Sequence, residues 1–227
     1  MKETTINSFH ELHTVRRSQW AEHCVYRGEN STTYKLRSKF GRRLAAPHKT
    51  KDGTVFPTPE HELGLLTRFK RQSAPFMEHY PIDDWDWLAV AQHHGLATRL
   101  LDWTENILVA AYFACSGLRQ RDAVIHVLNT RDIPHAEMNT SPFVLKNDVI
   151  FHPRHSTPRI AAQSGLFTVL AQPAQEFEAT LLERIIIPKD FIPELFATLR
   201  TYGFRKSKLF PGLDSITEDV NENYGCV

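Results

Sequence analysis

Two clusters of side chains in this chain have the types and spacing that chemistry uses. The longer is Gln92-His93-His94-Gly95-Leu96-Ala97-Thr98-Arg99-Leu100-Leu101-Asp102-Trp103-Thr104. It brings a carboxylate, two imidazoles, a guanidinium, two hydroxyls and an indole into one segment that runs straight into the apolar stretch from Ile107 to Cys115. A polar segment feeding a buried helix holds functional groups rigidly. The shorter cluster, Tyr26-Arg27-Gly28-Glu29, lies far upstream. A guanidinium near a strand end clamps a phosphate or carboxylate through two parallel donors, and a glycine beside it lets a ligand approach the backbone. The alternative for Arg27 is a surface salt bridge with Glu29. For Asp102-Trp103-Thr104 the alternative is an N-cap: Asp102 or Thr104 would cap a helix beginning near Glu105, with Trp103 in the core. Both readings can hold together, because a helix start also receives anions.

Other candidate groups carry less. The pairs His93-His94, His10-x-x-His13 and His152-x-x-His155 bring no third ligand at fixed spacing, so no metal is expected. Adjacent residues on a helix point about 100° apart, which sets His93 and His94 on different faces. A hydrogen-bonding role near a cleft suits His94 better. Cys115 sits between Ala114 and Ser116 in the apolar stretch and reads as core. Residues 35–51 hold seven Lys or Arg and no acid, with Tyr34 and Phe40 alongside. That composition suits either a solvated loop or a track for nucleic-acid phosphates with base stacking. The chain has no Gly-rich phosphate loop and no GxGxxG motif.

These clusters must be carried by regular elements. Ser8 and Glu11 have capping-box spacing, with Phe9, Leu12 and Trp20 on the short helix that follows. His23 to Gly28 reads as a strand stopped by its glycine. The basic stretch reads as mostly loop. Glu60 to Ser73 is expected to be helical, with Leu63, Leu66 and Phe69 on one face. Asp83-Asp84 start another helix, and Gly95 ends it. Asn106 to Ser116 is apolar nearly all round and therefore a buried helix. Strands are expected at Ala123–Leu128, Gly165–Leu170 and Leu181–Ile187, and helices at Phe191–Tyr202 and Leu213–Asn221. Residues 129–158, with four prolines, read as irregular. Helices followed by mixed strands and helices predict an α+β fold in one domain over residues 1–227, with a mixed twisted sheet flanked by helices.

At 227 residues the chain can bury a substantial core. Its formal net charge of +1 selects neither nucleic acid nor membrane through a global field. No run approaches the roughly 20 apolar residues of a spanning helix, and the start lacks a signal pattern. Three widely spaced cysteines, Cys24, Cys115 and Cys226, form neither a disulfide framework nor a zinc motif. The expectation is a reduced, cytoplasmic protein.

Tyr26-Arg27-Gly28, the segment Gln92 to Thr104 and Ala110-Ala111-Tyr112-Phe113-Ala114 resemble the FRG domain family, named for its aromatic-Arg-Gly motif. Ala162-Gln163-Ser164-Gly165-Leu166-Phe167-Thr168 and Leu209-Phe210-Pro211-Gly212-Leu213-Asp214 resemble it too, so the likeness runs from about residue 20 to 216. The order of elements more distantly resembles the ADP-ribosyltransferase fold: an early strand with Arg, a Ser/Thr strand feeding a helix, and a late Glu. Arg27 matches the first and Leu101 to Thr104 the second, but Gln163 stands in place of the Glu. The resemblance implies an NAD-consuming transferase, with Tyr26, Arg27 and Gly28 at the pyrophosphate or ribose. His94, Thr98, Arg99 and Thr104 would also contact the ligand, and Trp103 would stack on nicotinamide or belong to the core. Asp102, Gln163 and Arg27 would act near the ribose, with Glu176 and Glu178 as further acids. The implied acceptor is a nucleic acid guided by Lys35–Lys51, or a protein. A toxin or phage-defence setting, with a possible antitoxin partner, follows from the resemblance alone. Gln163, a neutral amide, equally suits a non-catalytic nucleotide- or nucleic-acid-binding module. A hydrolase using water as acceptor is the third reading.

Overall fold

The computed structural model describes residues 2–18, 23–49, 51, 53, 55–117, 120–154 and 158–225. Trp20, His155 and Cys226 lie outside the described residues. The fold is α+β, built on a seven-stranded mixed sheet. Its strands are β1 (Lys2–Thr5), β2 (Cys24–Glu29), β5 (Leu100–Thr104), β6 (Ala123–Asn129), β7 (Val149–Phe151), β8 (Gly165–Val169) and β9 (Leu182–Ile187), in the spatial order β1-β9-β6-β2-β5-β8-β7. β1 runs parallel to β9, and the other neighbours are antiparallel. The short strands β3 (His48–Lys49) and β4 (Val55–Phe56) form a separate hairpin. β1 and β7 escape sequence reading because they are short, and β1 is polar and exposed.

The helices are α1 (Phe9–Ser18), α2 (Lys39–Ala45), α3 (His61–Ser73), α4 (Asp84–His93), α5 (Ile107–Cys115), α6 (Pro158–Ala162), α7 (Ile192–Thr201), α8 (Lys206–Leu209) and α9 (Leu213–Asn223). Ser8 caps α1 by accepting from the Glu11 amide at 3.2 Å, and Glu11 reaches back to the Asn7 amide at 2.7 Å. Asp83 caps α4 through the Asp86 amide at 2.9 Å, and Gly95 leaves that helix with φ +88°. The basic stretch is not mostly loop. Ser38 accepts from the Gly41 amide at 3.0 Å and starts α2, burying Phe40 and Gly41.

Helix α5 sets the architecture. It has no polar face, and it packs on the sheet between β2 and a helical layer containing α7. Tyr26, Ile125, Val127, Ile185 and Ile187 supply the sheet side of that core. A second core joins α3 and α4 to the β5-β8-β7 end, with Leu66, Trp85, Leu88, Leu100, Phe151 and Phe167. A third lies on the opposite sheet face, where Val25, Leu101, Trp103 and Leu128 are covered by Leu36 and Phe177. β2 does not stop at Gly28; it continues through Glu29. A Cβ on Gly28 would stand 1.8 Å from the Ala110 carbonyl oxygen and 2.7 Å from the Ala114 amide nitrogen. The glycine is therefore the seat of α5. Ala110 and Ala114, four residues apart on one helix face, complete that close approach.

Candidate functional site

The site forms where two neighbouring strands part. β2 and β5 share a single registered pair, Tyr26 with Thr104. Beyond it the strands diverge, and the gap is bridged by a side chain. Arg27 donates through Nη1 to the Asp102 carbonyl at 3.0 Å, and its Nη1 lies 3.6 Å from Asp102 Oδ2. Through Nε it donates to Glu29 Oε1 at 3.0 Å. The pair with Glu29 is not a surface salt bridge, because both side chains are largely withdrawn from water. His126, Arg27's cross-strand neighbour on β6, stands 3.7 Å from the other Glu29 oxygen. Burial opposes the ionised form of Glu29, but His126 and Arg27 outweigh it and hold the carboxyl below its ordinary pKa.

Asp102 is the exposed carboxylate of the gap, with 63% of its side chain open. Gln92, at the end of α4, donates to its Oδ1 at 2.7 Å, and Thr98 donates to the side-chain amide oxygen of Gln92. A short relay from a fully buried threonine thus fixes an exposed acid. Two chambers meet at this carboxylate. One, of about 200 Å³, is lined by Arg27, Asp102, Thr104, Phe113, Arg159 and Gln163 among others. The other is only about 40 Å³ and is lined by Gln92, His93, Asp102, Arg159 and Gln163 with apolar neighbours. A larger cavity, about 650 Å³, adjoins the first across Arg27, Gly28 and Phe113.

Arg159, on α6, faces the same chambers. Its guanidinium lies over the Phe210 ring at 4.4 Å and donates to the His93 carbonyl at 3.3 Å. Burial lowers its pKa, and Asp102 works in the opposite direction. His93 is depressed to about 4, first by burial and then by His94 and Arg159, so the imidazole is neutral at physiological pH. The site therefore offers an exposed carboxylate, two guanidiniums and a neutral imidazole around a cleft.

Several expected ligand contacts are placed otherwise. Arg99 is buried in an ion pair with Glu62 at 2.8 Å, and it also donates to the carbonyls of Pro142 and Leu170. Thr98 is spent on Gln92. Trp103 is 3% exposed and donates its indole N–H to Thr168 at 3.0 Å, which fixes it in the core, where it also borders both chambers. Tyr26 is fully buried in the core beneath α5. Gly28 seats the α5 backbone and also borders the two adjoining cavities. His94 ends α4 on the exposed side, near Phe69, while His93 lines the chamber. Asn106, not Asp102 or Thr104, caps α5, by accepting from the Leu108 amide at 2.9 Å. Thr104 instead donates to the Gln163 carbonyl at 2.6 Å and accepts from the Asn106 amide. Gln163 reaches the cleft, but its amide donates to the Leu209 carbonyl at 2.8 Å. The adjacent Ser164 takes a left-handed conformation, φ +45°, as α6 turns into β8. Glu176 lies 3.3 Å from Lys35, and Glu178 is exposed on the same segment; neither lines the Asp102 chambers.

Arg159 and Phe113 were not legible as site residues, and Arg37 and Arg42 were legible only as members of the basic stretch 35–51. Arg159 is an isolated cation beside a proline, and Phe113 lies within an apolar run. Only the packing of α6, α2 and α5 brings them to the cleft. Among the described residues no group of three or more His, Cys, Asp or Glu is placed to hold a metal ion, and no helix is long and apolar enough to cross a membrane.

Residues 22–123 match the family model of the FRG domain. The FRG segment runs from the start of β2 through α5 to the first residue of β6, and so contains Arg27, Glu29, Arg42, Gln92, His93, Asp102 and Phe113. Arg159 and Gln163 reach the same cleft from outside it. No curated protein and no solved structure matches the chain.

Proposed function

We propose that this protein is an NAD-consuming, ADP-ribosyltransferase-like enzyme whose reacting ribose lies at Asp102. One observation carries the reading. An exposed carboxylate, oriented by Gln92 and flanked by Arg27, stands at the junction of the chambers. Cleaving the nicotinamide–ribose bond builds positive charge on the ribose. A fixed carboxylate stabilises that charge. Arg27 and Arg159 line the same chamber and supply donors for a pyrophosphate. Asp102 takes the role that the late Glu would have, since Gln163 is neutral and its amide is engaged by Leu209. The acceptor is a nucleic acid or a protein.

That engagement of Gln163 also favours a second reading, a module that binds a nucleotide without cleaving it. Mass spectrometry of NAD incubated with the protein, alone and with RNA, DNA or cell lysate, separates the two. Nicotinamide release that Asp102→Asn abolishes supports the enzyme. Intact NAD in every mixture, with NAD binding retained, supports the module.

A further inference from the structure

The chamber at Asp102 leaves the larger adjoining cavity without a role. Its lining gathers four cations, Arg27, Lys35, Arg37 and Arg42, and one carboxylate, Glu29. Glu29 is spent on Arg27 and faces His126. Lys35 has Glu176 at 3.3 Å. Among the described residues no carboxylate stands within ion-pair distance of Arg37 or Arg42. Arg42 donates instead to the Arg37 carbonyl at 2.6 Å, and Arg37 Nε is buried with no hydrogen-bond partner among the described residues. Burial and the neighbouring Arg27 cation lower the Arg42 pKa and outweigh Glu29 and Asp102, which work in the opposite direction. Cations that outnumber the acids around them repel one another, and an anion relieves that repulsion. Tyr34, 54% exposed, and Phe113 add aromatic faces to the wall.

The charge is concentrated in one hole. Lys39, next on the basic stretch, donates to the Gly95 carbonyl at 2.5 Å, and Arg43, Lys49 and Lys51 do not line the cavity. A polynucleotide would need cations spread along a groove. A cavity of about 650 Å³ has the size of a small-ligand site.

We infer that this cavity takes the distal nucleoside of the ligand with a phosphate monoester on its ribose, held by Arg37 and Arg42, so that the preferred substrate is a dinucleotide carrying a third phosphate, NADP rather than NAD. The inference rests on the reading of the Asp102 chamber as the seat of the nicotinamide ribose. Arg27 and Arg159 meet the two charges of the pyrophosphate, and Arg37 and Arg42 remain for the third group. A phosphate monoester offers three acceptor oxygens, which suit two guanidinium forks.

Calorimetry on the full chain tests it with adenosine 2′,5′-bisphosphate, 5′-AMP and a 5′-phosphorylated tetranucleotide. None contains nicotinamide, so the result does not depend on catalysis. The bisphosphate is expected to bind about 10-fold more tightly than 5′-AMP, the gain of one charge-assisted contact. Arg42→Ala should erase the difference, Arg42→Lys should retain part of it, and Arg43→Ala, outside the cavity, should leave it unchanged. Equal affinity for the two mononucleotides, a preference that survives Arg42→Ala, or tighter binding of the tetranucleotide than of the bisphosphate would each overturn the inference. A bisphosphate preference in a protein that cleaves neither NAD nor NADP would sink the enzyme reading and leave the cavity assignment standing. NAD cleavage without that preference would do the reverse.

Discussion

The Arg27 guanidinium donates to the backbone carbonyl of Asp102, 3.0 Å away, across the gap where β2 and β5 cease to pair. One side chain thus replaces a missing rung of the sheet and stands at the mouth of the cleft that the missing rung creates. Arg27→Ala is expected to remove both functions. It leaves Glu29 buried without its guanidinium, at a cost of roughly 3 kcal/mol. Arg27→Lys keeps the charge but cannot span Glu29 and Asp102 together, so it should recover stability in part and ligand affinity little. Urea denaturation and nucleotide titration on the two variants check this; equal stability of Arg27→Ala and the parent would contradict it.

Asp102→Asn separates chemistry from folding. The side chain is exposed and Asn keeps an oxygen for the Gln92 donor, so stability should stay within about 0.5 kcal/mol of the parent. Nicotinamide release should fall by a factor of about 100 or more, as the loss of a stabilising charge at the reacting carbon demands. A variant of unchanged rate would remove Asp102 from the mechanism.

Gly28→Ala should fail to fold into this sheet. The added carbon would sit 1.8 Å from the Ala110 carbonyl oxygen, a backbone atom that cannot swing aside without moving α5. A loss of about 4 kcal/mol or more is expected, read as insoluble expression or a collapsed melting temperature. Normal melting of Gly28→Ala would show that α5 is seated elsewhere.

His93 sets a pH dependence. Its pKa is lowered to about 4 in the folded chain, below the ordinary histidine value. Between about pH 6.5 and 4 the unfolded chain binds a proton that the folded chain refuses, so stability falls as pH falls through that window. Because the ring is only about half withdrawn from water, solvent screening reduces the effect to roughly 1 kcal/mol. His93→Gln should flatten the dependence of urea midpoint on pH between 7 and 4.5 by that amount; an unchanged slope would rule His93 out as the source.

Glu62 and Arg99 make a purely structural prediction. Glu62 accepts from the Arg99 amide at 2.6 Å and from Nε at 2.8 Å, in a place almost closed to water. Glu62→Ala strands a buried cation and should cost about 3–5 kcal/mol. Ligand affinity of whatever folded protein remains should be unchanged, which distinguishes Arg99 from Arg27.

The chain itself determined the strongly patterned elements. The capping groups at Ser8 and Asp83, the apolar run of α5 and the short apolar runs of β6, β8 and β9 each state their structure locally, because a cap or a hydrophobic run acts within a few residues. Arg27 and Asp102, which line one chamber, were legible as candidate positions for the same reason: unusual polar groups bordering buried segments. What each group faces was not legible. Arg99 and Arg27 have the same side chain, yet one is consumed by a buried Glu62 from 37 residues away and the other opens on a cleft. His93 and His94 are neighbours, yet the helix turn points only the first into the chamber. Gly28 is small because α5 must touch it, a demand made by Ala110 and Ala114 from more than 80 residues along the chain. Arg159 and the basic cavity of Arg37 and Arg42 exist only once α6 and α2 dock beside β2 and β5. Side-chain roles of this kind depend on long-range contacts and burial, which the tertiary structure alone decides.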